Sequence, residues 1–143
     1  MYQKILLAVD LSSHAELLCQ KAAEMAELHQ ASLSVISVVE PIVSDSAFDT
    51  MPPLPVDFDD LRLQSLRERL QQLGAKYGIR AEQRFLEIGV PKREICRKAS
   101  DLVSDLIIVG SHGRHGVELL LGSTANAVLH HAQCDVLAVR IHK

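Results

Sequence analysis

The sequence predicts an α/β domain built on a doubly wound sheet of five parallel strands in the order 3-2-1-4-5, with helices on both faces. Three observations predict it. Apolar runs of strand length alternate with segments of helical periodicity along the whole chain. Two of those runs, Lys4–Val9 (KILLAV) and Leu106–Val109 (LIIV), are continuously apolar, as strands covered on both faces must be. The two end in residues suited to a binding turn, Asp10 and Gly110, which makes them the natural central pair where the strand order reverses. The 143 residues fit one domain, residues 1–143, large enough to bury a core.

Taken in order, Lys4–Val9 is the first strand. Asp10-Leu11-Ser12-Ser13 follows, with Ser12 or Ser13 as a helix cap and Glu16 at the spacing of a capping box after Ser13. The helix carries Ala15, Leu18, Ala22, Met25 and His29 on one stripe, widened by Ala23 and Ala26. Ser32–Val39 (SLSVISVV) is the second strand, ended by Glu40-Pro41. Residues 42–58 hold Pro52, Pro53 and Pro55 and keep no period. A loop of that length is uncommon in a compact domain; a lid over a ligand and a disordered crossover both fit it.

Asp57–Tyr77 reads as a helix with Leu66, Leu70, Leu73 and Tyr77 inward and Arg62, Arg67, Glu68, Arg69 and Lys76 outward, stopped by Gly78. Arg80–Ile88 alternates polar residues and is placed at the sheet edge. Pro91 sits near the first position of the next helix, whose buried side is Ile95, Ala99 and Leu102. Lys92-Arg93 and Arg97-Lys98, beside Glu94, read as its solvated face. After the strand Leu106–Val109 come the helix Ser123–His131 and the last strand, Asp135–Ile141 (DVLAVRI).

Composition excludes several classes. Hydrophobic residues at 48% fit a globular chain, and aromatics at only 3% leave an aliphatic core and little for base stacking. A formal charge of −3 creates no field favouring nucleic acid. Cys19, Cys96 and Cys134 are odd in number and widely spaced, the pattern of buried reduced thiols. The chain enters a strand at once, and no apolar run has the length of a membrane span, so a soluble cytoplasmic protein is expected.

The chemistry concentrates between Leu106 and Asn126 (LIIVGSHGRHGVELLLGSTAN). A buried strand runs into Gly110 and Gly113, and Gly122-Ser123-Thr124 opens a helix. A helix N-terminus presents unpaired N–H groups and the positive end of the macrodipole, so it attracts phosphate. Ordinary turn chemistry would account for either glycine alone; the combination points to a phosphate site. Asp10 serves either as a cap for the following helix or as a ligand group. The seven histidines form no ligand set: His130 and His131 are adjacent on a helix and point about 100° apart. No phosphate-loop lysine motif, Gly-x-x-x-x-Gly-Lys-Ser/Thr, and no Gly-x-Ser-x-Gly nucleophile elbow occur, so no catalytic residue is assigned.

KILLAVDLSS at the start, GVP at Gly89–Pro91 and VGSHGRHG…LLLGST with CDVLAVR near the end resemble the universal stress protein family over essentially the whole chain. The resemblance implies a Rossmann-like fold and a homodimer. One branch of that family binds ATP through Gly-x-x-Gly, nine residues, then Gly-Ser/Thr; another lacks the glycines and does not. Here eight residues, Arg114–Leu121, separate Gly113 from Gly122, one fewer than the pattern. The ATP-binding branch is the better match.

Carried over residue by residue, the resemblance implies that Ala8, Val9 and Asp10 line the adenine and ribose side. It places Val38 against the adenine and Val109 under the base or ribose. Gly110, Gly113, Gly122, Ser123 and Thr124 would hold the phosphates, with His112 and Arg114 near enough to assist. ATP or another adenine nucleotide is the expected ligand, with magnesium or manganese brought in by its phosphates. Val136–Ile141 is too apolar for a solvent edge, and two-fold pairing with a second copy would cover it. The leading expectation is a stress-response regulator that binds nucleotide without efficient turnover. The alternatives are a dimeric interaction module that binds none and a slow ATPase.

Overall fold

The computed structural model describes residues 1–41, 56–112 and 121–142. The order is β1 (Lys4–Ala8), α1 (Ala15–His29), β2 (Ser32–Val39), α2 (Val56–Lys76), a 3-10 turn (Ala81–Gln83), β3 (Arg84–Ile88), α3 (Pro91–Asp101), β4 (Leu106–Gly110), α4 (Ser123–His131) and β5 (Asp135–Val139). The five strands form one parallel sheet in the order β3-β2-β1-β4-β5, as the sequence predicts. β1 lies between β2, with Leu6 opposite Ser34, and β4, with Leu6 opposite Ile107.

Side chains alternate across a strand, so a strand with helices on both faces must be apolar at every position. Ile5 and Leu7 of β1 face one layer, where they pack with Cys19 and Ala22 of α1 and Leu70 of α2. Leu6 faces the other, with Ile95 and Ala99 of α3 and Ala125 and Val128 of α4. Leu6, Leu7, Ile36, Ile107 and Ile108 have no exposed surface. Burying each such side chain contributes about 1.5–3 kcal/mol before chain entropy is set against it. Asp105 stitches the two central strands together at their start: its carboxylate accepts the backbone N–H groups of Gln3 (2.8 Å) and Lys4 (3.0 Å).

Several local expectations change. No capping box forms at α1. Its cap position is His14, in helical geometry and without a side-chain bond. Ser12 Oγ instead accepts the His14 N–H at 3.4 Å. Glu16 turns away to Lys76 Nζ of α2, 2.8 Å distant, because a full countercharge holds a carboxylate better than a neutral amide does. The buried stripe of α1 centres on Leu18, Cys19, Ala22 and Ala26, leaving Met25 and His29 at its border. The edge segment begins as the turn Ala81–Gln83, and only Arg84–Ile88 is strand. The last strand stops at Val139, and Ile141 instead plugs the α1 side of the core. Residues 56–58 of the expected loop are the first of α2; residues 42–55, and with them the suggested lid, lie outside the described residues.

The basic face of α3 is only partly solvated. Lys98 has 16% of its side chain exposed, with Nζ 4.3 Å from the Phe85 ring centroid and 3.2 Å from Glu87. Arg97 remains 55% exposed while pairing with Glu94. Gly78 does end α2, with φ of +72°, a conformation that glycine adopts freely.

Candidate functional site

At the carboxyl ends of β1, β2 and β4 the sheet opens into a cleft of about 470 Å³. This is the switch point: the crossover from β1 runs to β2 on one side and the chain returns to β4 on the other. Ala8, Val9 and Asp10 line it from β1 and its exit, Val38 from β2, and Val109, Gly110 and His112 from β4 and its exit. Gly122, Ser123 and Thr124 line it from the start of α4. The structure therefore brings these ten sequence-assigned residues together; Gly113 and Arg114 lie outside the described residues.

Ile36, Val38, Val109 and Ile95 give the cleft apolar lining, and Asp10, Glu40 and Arg62 give it charged lining. A cleft of that size with a few convergent polar groups is the usual form of a small-molecule site. At one end α4 begins. Gly122 N–H donates to Ser111 O at 2.6 Å, and the first intrahelical bond runs from Asn126 N–H to Gly122 O at 2.9 Å. The amides of Ser123, Thr124 and Ala125 precede that bond, the cap residue Gly122 has no side chain to bond them, and Ser123 and Thr124 are exposed. That end can hold an anion through backbone N–H groups and two hydroxyls.

At the exit of β1 Asp10 is exposed, with Oδ1 accepting the Ser12 N–H at 3.0 Å. Among the described residues the second carboxylate oxygen accepts no hydrogen bond. Its neighbour Leu11 has φ of +59°, a left-handed conformation that costs a branched residue on the order of 1 kcal/mol. Two contacts hold it there: the Leu11 side chain is buried in the core, and its carbonyl accepts the guanidinium of Arg69. Arg69, read as an outer residue of α2, thus clamps the turn that presents Asp10.

Ser111 joins the two ends of the β4 exit to the last strand. Its N–H donates to Val139 O at 2.8 Å, its carbonyl takes the Gly122 N–H, and its hydroxyl oxygen accepts the Ile141 N–H at 2.9 Å. The same hydroxyl lies 3.0 Å from His112 Nδ1. Among the described residues, His112 Nε2 is buried without a hydrogen-bond partner.

Sequence reasoning missed Ser111, Arg62, Leu66, His14 and Glu40. Arg62 was placed on the outside of α2, but it is half-buried and lines the cleft with Leu66. The helical stripe gave the inward side correctly; how α2 crosses the sheet decides which flanking residue reaches the cleft. The three cysteines are free thiols, but only Cys19 is fully buried. Burial pushes its pKa up to about 12, with Glu16 adding to the rise; burial also raises those of the half-buried Cys96 and Cys134. Among the described residues no group of three or more His, Cys, Asp or Glu could hold a metal ion, and no helix is long and apolar enough to cross a membrane.

Comparison with known proteins fits this architecture. The universal stress protein A homolog 2 of Coxiella burnetii is 42% identical over 141 residues, covering 98% of this chain and 96% of that protein. The universal stress protein UspA of Lactobacillus plantarum superposes with a TM-score of 0.74 at 28% identity, over 97% of this chain and 98% of that one. A universal stress protein solved in complex with cAMP shares the fold, with a TM-score of 0.70 at 19% identity over 99% and 97% of the two chains. The sequence pattern of the universal stress protein family matches residues 1–140, and this chain belongs to that family.

Proposed function

We propose that this chain binds an adenine nucleotide, ATP foremost, and works as a stress-response regulator rather than as an efficient catalyst. The observation that carries the reading is the start of α4 within the switch-point cleft, where three amides without a bond among the described residues and the Ser123 and Thr124 hydroxyls line the same cleft as Asp10. Phosphates belong at that end, with Gly110, Gly113 and Gly122 allowing close backbone approach and His112 and Arg114 assisting. The base packs between Val38 and Val109 beside Ala8 and Val9, and the free oxygen of Asp10 takes a ribose hydroxyl. Magnesium or manganese arrives on the phosphates and not in a protein-built cage. A relative of the same fold in complex with cAMP supports an adenine nucleotide here.

The working form is a homodimer in the cytoplasm, paired along β5. Leu137 is 37% exposed on that edge, and Ala138 is exposed beside it. The absence of a phosphate-loop lysine motif from the sequence favours binding over turnover.

Thermal melting with nucleotide tests the reading. Ligand at about 100 times its Kd adds roughly 2.7 kcal/mol, or about 5–10 °C for a domain of this size. ATP with magnesium should give such a shift, adenosine a smaller one, and a Ser123→Ala, Thr124→Ala double variant should lose most of the difference. No shift with millimolar ATP and magnesium refutes nucleotide binding.

A further inference from the structure

We infer that Ser111 is a positioning residue that locks His112 in the tautomer carrying its proton on Nε2, and that this N–H is offered to a phosphate oxygen of the nucleotide. The second half rests on the nucleotide reading above; the first half does not.

The tautomer follows from counting donors and acceptors around one buried hydroxyl. Ser111 is 5% exposed, and its Oγ already accepts the Ile141 N–H at 2.9 Å. A serine hydroxyl has one proton to give and two lone pairs to receive with. If His112 Nδ1 carried the proton, Oγ would accept twice, and its own proton would have no acceptor among the described residues. With Nδ1 unprotonated, the Ser111 O–H donates across the 3.0 Å to Nδ1, and every group at the node is matched. The neutral ring then carries its proton on Nε2.

That atom is the one buried side-chain nitrogen or oxygen without a partner among the described residues. His112 lines the same cleft as Gly122, Ser123 and Thr124, and the carbonyl of the residue before it accepts the Gly122 N–H at 2.6 Å. An unpartnered donor and the first amides of α4 in one cleft are donors suited to a single anionic group. The same node ties the site to the last strand, because Ser111 bonds Val139 O and the Ile141 N–H together.

Two readouts test the inference. Imidazole 15N shifts of the ligand-free protein at pH 8, above the ordinary histidine pKa of about 6.5, report the tautomer directly. His112 should show an unprotonated Nδ1 and a protonated Nε2, and Ser111→Ala should give a mixture of tautomers. Ser111→Thr keeps the hydroxyl and should restore the single form, which also covers the case in which the alanine variant folds poorly. A protonated Nδ1 in the native protein overturns the positioning role. In calorimetric titration with ATP and magnesium, Ser111→Ala and His112→Ala should each weaken binding about 10-fold, while His112→Gln and Ser111→Thr stay within about 3-fold. Unchanged affinity in His112→Ala, with native ATP binding intact, overturns the phosphate contact alone. Failure of the native protein to bind ATP removes the nucleotide reading and the phosphate contact together, and the tautomer result still stands or falls by itself.

Discussion

Replacing Gly74 by alanine should destabilise the protein, although alanine is the better helix former. Gly74 lies in the last turn of α2, where the change in propensity alone would gain about 0.5–1 kcal/mol. A Cβ there would stand 2.6 Å from Arg84 Nε, 2.7 Å from its Cδ and 3.0 Å from its Cγ. Those are atoms of the middle of the side chain, so Arg84 has to leave its place. Leaving breaks the bonds from its Nε and Nη2 to Ile79 O and from Nη1 to Gln71 Oε1 at 2.9 Å. Charge-assisted bonds of this kind contribute about 1.5–3 kcal/mol, somewhat less for a half-buried group. The loss outweighs the gain by about 1–2 kcal/mol, or a fall of roughly 2–8 °C in Tm. A double-mutant cycle isolates the cause: on an Arg84→Ala background, Gly74→Ala should raise stability by about 0.5–1 kcal/mol. Urea or thermal unfolding of the four proteins reads both signs. A rise in Tm for Gly74→Ala in the native background would refute the reasoning.

Other expectations are as direct. Asp10→Ala should lower ATP affinity about 10- to 100-fold by calorimetry, the range for losing a charged hydrogen-bond acceptor, with Tm falling only slightly since Asp10 is exposed. The Asp105 pKa lies below its ordinary value; burial opposes that, but the Gln3 and Lys4 N–H groups stabilise the charged form and prevail. A carboxyl depressed by folding contributes stability above its unfolded pKa and loses it as pH falls through the folded one. Asp105→Asn should therefore cost stability at pH 7 and little at pH 2, and equal cost at both would count against the assignment. At pH 8 a thiol reagent should modify Cys96 and Cys134 slowly and Cys19 only on unfolding, since burial holds the Cys19 pKa near 12. Leu137→Lys should give a monomer by analytical ultracentrifugation; a persistent dimer would place the interface elsewhere.

The sheet was legible because its physics is local. Leu6, Ile107 and Ile108 announce strands covered on both faces, and the reversal rule then puts Asp10 beside the Gly110 loop. Most of the cleft followed from that adjacency. What was not legible depends on packing between distant segments. Glu16 had a capping role by spacing, yet Lys76, 60 positions away, offers it a charge. Arg62 and Arg69 looked alike on an outward face, but the crossing of α2 sends one to the cleft and the other to the Leu11 carbonyl. Ser111 carried no sequence signal, because its role needs the Ile141 N–H to arrive from 30 residues downstream.

The two margins of the sheet are chemically unequal. On β3, Arg84 is spent on Ile79 and Gln71 and Glu87 on Lys98, so this margin carries charge of both signs. On β5 the only charge is Asp135 at the start, occupied by the Tyr2 hydroxyl at 2.8 Å, and the rest is valine, leucine and alanine. In the homodimer proposed above, each β5 margin is taken up by the partner copy, and only the charged β3 margins stay outside. The inequality would then end assembly at two copies, through the strand that shares Ser111 with the cleft.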